Sequence, residues 1–111
     1  MKIKLKKELF QWEKNRHLYV ERENGEPEIY CARFYNSKSS VGIDILYEGD
    51  RMKIPNSLLK ENLPITALIC TLVGDDTQII ARKNLKVLRA IRPENYIDDD
   101  EEVIYDGGVE L

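Results

Sequence analysis

Ile65-Thr66-Ala67-Leu68-Ile69-Cys70-Thr71-Leu72-Val73, followed by Gly74-Asp75-Asp76-Thr77 and then Gln78-Ile79-Ile80-Ala81-Arg82, is the stretch on which the fold turns. Residues 65–73 form the most apolar run of the chain. A short continuous apolar run that ends at turn residues reads as a strand covered on both faces, and therefore central in its sheet. Gly74 and the two aspartates supply the reversal, so residues 78–82 return as the second strand of a hairpin.

Outward from this hairpin the chain keeps the same grammar. Asn84 to Ile91 reads as the last strand, and Met52-Lys53-Ile54 as a short extended piece that must end at Pro55, whose ring fixes φ and biases Ile54 away from helix. Asn56 or Ser57 caps one helical turn through Leu58, Leu59 and Lys60, ended by Asn62 and Pro64. Towards the start, Val41 to Tyr47 alternates as a half-buried strand, and Glu28 to Tyr35 reads as a strand at least partly covered on both faces. Asn24-Gly25 is a tight turn, and His17 to Arg22 is a strand with Leu18 and Val20 inward. Phe10 to Arg16 reads as a turn anchored by Phe10 and Trp12. Ile3 and Leu5 alternate with Lys2, Lys4 and Lys6, the pattern of an edge strand whose lysines blunt its open side.

Short strands spaced by turn signals, with one short helical turn, predict an all-β chain: an antiparallel β-sandwich or open barrel of about 7–8 short strands. Residues 1–96 are read as this domain and residues 97–111 as an acidic, flexible tail. With 111 residues, 42% hydrophobic and 33% charged, the chain is large enough for one buried core without a metal or disulfide. Cys31 and Cys70, flanked by apolar or small residues, read as buried free thiols. Lys2, Lys4, Lys6 and Lys7 interrupt any leader-like apolar run, which points to synthesis in the cytoplasm. The run 65–73 is too short to cross a bilayer as a helix.

Charge is uneven. Residues 1–16 carry six Lys or Arg against two Glu, whereas residues 94–111 carry eight acids and no base, within a net charge of -3. Asp98-Asp99-Asp100-Glu101-Glu102 repels itself and lacks the ligand spacing of a calcium loop. Val103-Ile104-Tyr105 interrupts it and has the character of a strand that adds to a sheet edge. The bases are scattered and the tail competes for them, which argues against nucleic acid as a partner. His17 is the sole histidine, and no catalytic triad, metal set or phosphate loop assembles around it or the cysteines, so neither enzymatic activity nor a cofactor is expected. The aromatics read as core and cross-strand pairs; a glycan-binding platform is the alternative.

Three phrases remain: Leu9-Phe10-Gln11-Trp12-Glu13, Ile54-Pro55-Asn56-Ser57-Leu58-Leu59 and Arg92-Pro93-Glu94-Asn95-Tyr96. In this order the chain resembles a small β domain of phages and prophages of Gram-positive bacteria, similar to the N-terminal domain of upper baseplate proteins. The resemblance spans residues 9–96. It departs at Glu13, Arg92 and Asn95, and no coiled-coil extension of the fibre type follows. The resemblance implies a virion structural or assembly protein of tail, baseplate or fibre, with other phage proteins or further copies of itself as partners. Trp12, Pro55, Leu58, Leu59, Pro93 and Tyr96 are then structural anchors. The lysines of the first strand and residues 98–105 are the candidate contact sites. A small inhibitor of a host protein, working through the acidic tail, is a further alternative.

Overall fold

The computed structural model describes residues 1–98 and the backbone of residues 105–106 and 109–110. A three-stranded antiparallel sheet is formed by β1 (Lys2–Lys4), β3 (His17–Glu21) and β6 (Arg51–Lys53), in the order β1-β3-β6. A larger antiparallel sheet contains β4 (Cys31–Tyr35), β5 (Ile43–Leu46), β7 (Ile65–Val73), β8 (Asp76–Leu85), β10 (Tyr105–Asp106) and β11 (Val109–Glu110), in the order β11-β10-β5-β4-β7-β8. Two short strands, β2 (Leu9–Phe10) and β9 (Val87–Leu88), pair in parallel, Leu9 opposite Val87 and Phe10 opposite Leu88. Asn56–Lys60 is a 3₁₀ turn. The expected all-β class, with antiparallel pairing and one helical turn, is the fold.

Period-two alternation builds the core. Leu18 and Val20 of β3 point inward, opposed by Ala32 and Phe34 of β4 and by Ile65, Ala67 and Ile69 of β7. Met52, Ile54, Leu59 and Leu85 close the same cluster. Each fully buried Leu, Ile, Met or Phe contributes about 1.5–3 kcal/mol by leaving water. The Tyr47 hydroxyl donates to the Val20 carbonyl at 2.8 Å, tying the strand pair β4–β5 to the smaller sheet.

Several local expectations are corrected. Leu72 and Val73 are 45% and 50% exposed, because β4 pairs with β7 only from Thr66 to Cys70 and the hairpin continues past its covering strands. The return strand runs from Asp76 to Leu85, with a bulge where Ile69 opposes Ala81 and Cys70 opposes Ile79. No single strand spans 84–91: pairing breaks at Lys86, and Ile91 is 94% exposed. Residues 28–30 lie outside β4, and Val41, Gly42 and Tyr47 lie outside β5. Phe10 is an exposed strand residue instead of an anchor. Neither Asn56 nor Ser57 caps the 3₁₀ turn, which has Pro55 at its N-cap position and no side-chain cap; the Asn56 Oδ1 instead accepts from the Asn15 N–H at 3.2 Å.

The cysteines are free and buried, but outside the main core cluster. Cys31 lies directly opposite Cys70 across β4 and β7. Alternation puts both on the sheet face away from Phe34 and Ile69.

Candidate functional site

The three phrases meet at one corner. Leu9 and Phe10 leave their parallel ladder, and the chain must turn at once; Trp12 does so at φ 71°, a left-handed conformation rare for a bulky side chain. That geometry costs about 1–2 kcal/mol, and the surrounding contacts hold it. The Trp12 N–H donates to the Leu59 carbonyl at 2.8 Å, and its Nε1 donates to the Ala90 carbonyl at 3.1 Å. Its ring meets Tyr96 edge-to-face, with centroids 5.3 Å apart and planes at 73°, a favourable quadrupolar arrangement.

Gln11 bridges the same segments. Its Nε2 donates to the Lys60 carbonyl at 3.0 Å, and its Oε1 accepts from the Ala90 N–H at 3.1 Å. Its backbone N–H reaches the Leu88 carbonyl at 2.9 Å, and Asn62 Nδ2 donates to the Val87 carbonyl at 2.7 Å. The Arg92 guanidinium lies 5.4 Å from the Trp12 ring centre and 5.6 Å from that of Tyr96, and Lys14 Nζ lies 4.6 Å from the Tyr96 ring. Two π faces thus collect two cations. Pro93 opens a turn in which its carbonyl accepts the Tyr96 N–H at 3.1 Å, while Pro55, Leu58 and Leu59 are buried beneath. Lys60 pairs with Asp98, whose carboxyl is held below its ordinary range chiefly by that hydrogen bond, and Lys14 reaches the Ile97 carbonyl. These polar groups are committed to one another, so the corner acts as a clasp. Gln11, Lys14 and Arg92 were missed as members of it; their signal was only their place within or beside the phrases.

The outer face of the larger sheet carries an ion pair. Arg33 Nε and Nη2 donate to the two Asp44 oxygens at 2.7 and 2.8 Å, a bidentate pair that raises the arginine pKa. Asp44 is therefore committed to a cross-strand pair with Arg33. Gly42 makes room for the pair, because a Cβ there would stand 2.4 Å from Arg33 Cγ. The hydrogen bond between the two thiols pushes Cys31 up, with burial adding to it, and pulls Cys70 down, so the pair shares one bond across β4 and β7. Burial and the positive charge of Arg51 hold the His17 imidazole below its ordinary range. Among the described residues, no three His, Cys, Asp or Glu side chains form a metal-binding group, and no helix is long and apolar enough to cross a membrane.

The candidate contact residues are spread apart. Lys2 and Lys4 are exposed on edge strand β1, and Lys6 Nζ lies 4.2 Å from the Tyr19 ring centre. Asp99, Asp100, Glu101, Glu102, Val103 and Ile104 lie outside the described residues. The backbone of Tyr105 pairs with Asp44 of β5. A groove of about 360 Å³ between β1 and β8 is lined by Ile3, Leu5, Leu85 and Leu88 together with Lys4 and Lys83.

Among the strand residues whose side chains are described, the most exposed apolar ones lie at the end of the β7–β8 hairpin, where Leu72, Val73 and Ile79 are 45%, 50% and 58% exposed. Gly74, at φ 64°, makes its turn. The apolarity of 65–73 was visible in the sequence, but read as burial it concealed a projecting arm. No protein-family model matches the chain, and comparison with curated proteins and with solved structures found no match.

Proposed function

We propose that the chain is a non-enzymatic structural module of a phage or prophage particle, a tail-, baseplate- or fibre-associated β-sandwich that mediates protein contacts. The observation that carries this reading is the projecting β7–β8 arm, which holds Leu72, Val73 and Ile79 in water at one end of a body closed by its own clasp. By the register of the hairpin Leu72 and Ile79 are diagonal neighbours on one face and Val73 lies on the other, so a projecting element exposes apolar surface of the kind that protein partners cover. The phrases that resemble phage baseplate domains support the setting, and their convergence gives their order and spacing a physical reason: each supplies one side of the Trp12 corner. A glycan platform has weaker support, since Trp12 is half-buried with its Nε1 engaged.

Mass spectrometry of density-purified particles from the encoding host tests the reading. The chain is expected at a fixed ratio to the major structural proteins. Its presence in the lysate with absence from purified particles would overturn the proposal.

A further inference from the structure

β8 stands at the end of the larger sheet, with β7 as its strand neighbour among the described residues. An edge strand presents one row of backbone donors and acceptors that another strand can complete. The side chains along this edge have an order of their own. Asp75 and Asp76 precede Ile79 by four and three residues, and Arg82 and Lys83 follow it by three and four. All five are exposed. None of the four charged residues forms an ion pair with another described residue.

From this order we infer that β8 is a homodimerisation edge, on which a second copy of the chain adds its own β8 antiparallel and centred near Ile79. Run antiparallel, the acidic hairpin end of each copy lies along the basic body end of the other, with Ile79 near the two-fold axis; the bulge between Ile79 and Ala81 breaks the alternation there, so the charges complement end to end and not as one-to-one cross-strand pairs. Run parallel, aspartates would face aspartates and bases would face bases, so the charges select one orientation. Such an interface is isologous, and closes at two copies. Arg82 and Lys83 also disfavour any added strand that brings bases to the facing positions, because like charges then oppose across the pair. The inference goes beyond the virion setting and does not depend on it.

Sedimentation equilibrium of the full chain tests it. The wild type is expected to be a dimer at low salt, with affinity that falls as salt screens the facing charges. Asp75→Lys with Asp76→Lys, and separately Arg82→Glu with Lys83→Glu, should each weaken self-association roughly tenfold or more, because each turns facing attractions into repulsions. An equimolar mixture of the two doubly substituted chains should recover a heterodimer, since each then carries the charges the other lacks. Amide exchange of the wild type across residues 76–83 should slow as protein concentration rises, a readout that needs no variant. A wild type that stays monomeric at low salt, substituted chains that associate as tightly as the wild type, a mixture that stays monomeric, or amide exchange there that ignores concentration would each overturn the inference. Absence of the chain from particles would leave a dimer intact, so this proposal and the virion reading fail separately.

Discussion

Trp12 concentrates the logic of the corner in one residue. It adopts a backbone conformation that its own Cβ disfavours, and its N–H, its indole N–H and its ring each contact a different part of the chain: Leu59, Ala90 and Tyr96. Replacing Trp12 with Ala removes the ring and the indole donor but keeps the unfavourable φ, and is expected to cost about 2–4 kcal/mol, near the range for aromatic truncation because the ring is half-buried. Trp12→Phe keeps most of the ring and loses the bond to Ala90, a cost of about 1 kcal/mol. Urea unfolding followed by circular dichroism separates the two. Equal, negligible losses from both variants would mean that the clasp contributes little to the fold.

At the scale of elements, one hairpin does two jobs along its length. The half nearest the body is core: Ile69 and Ala67 are fully buried and β4 covers them. The far half is solvent-facing, and the same kind of residue there has little folded-state energy to lose. Ile69→Ala is therefore expected to cost about 2–5 kcal/mol, whereas Ile79→Lys, compared in high salt and at protein concentrations where the proposed dimer is dissociated, should shift stability by no more than about 0.5 kcal/mol. Denaturant midpoints of the two variants check this, and a large loss from Ile79→Lys would place the arm inside the cooperative core. The contrast also shows what the sequence could convey. Period two made Leu18 and Val20 legible as core, and Lys2 and Lys4 as an exposed edge, because alternation is local. The run 65–73 has no polar interruption at Leu72, so the end of its cover depends on where β4 ends, which is non-local information. The parallel pairing of β2 with β9 was illegible for a related reason: two residues have no period, and their partners lie 78 positions away. The corner was half legible. Its phrases stood out, but that Gln11 would bridge Lys60 and Ala90 depends on chain crossings that no spacing encodes.

For the whole molecule, charge is divided between body and tail more sharply than the net value of -3 suggests. Ending the chain at Asp98 removes six acids and no base, which turns the net charge from -3 to +3. The contacts of the corner, the Lys60–Asp98 pair included, remain in such a chain. What it loses from the described structure is the two-strand addition at β5, which touches the larger sheet at Tyr105 opposite Asp44. One paired position contributes little, so the shortened chain is expected to keep its unfolding free energy within about 1 kcal/mol. Its surface behaviour should change far more. A body of net positive charge attracts polyanions through long-range fields that salt screens within about 10 Å at 0.1 M. The shortened chain should therefore bind a cation exchanger at pH 7 and retain duplex DNA weakly at low salt, with the DNA released as salt rises. The full chain should do neither, because its tail supplies the opposing charge at higher local concentration than any free polyanion. Ion-exchange retention and a salt titration of DNA binding on the two chains measure the difference directly. Identical behaviour would mean that the acids of residues 99–111 do not screen the body, and that the tail works through its backbone pairing with β5 instead of its charge.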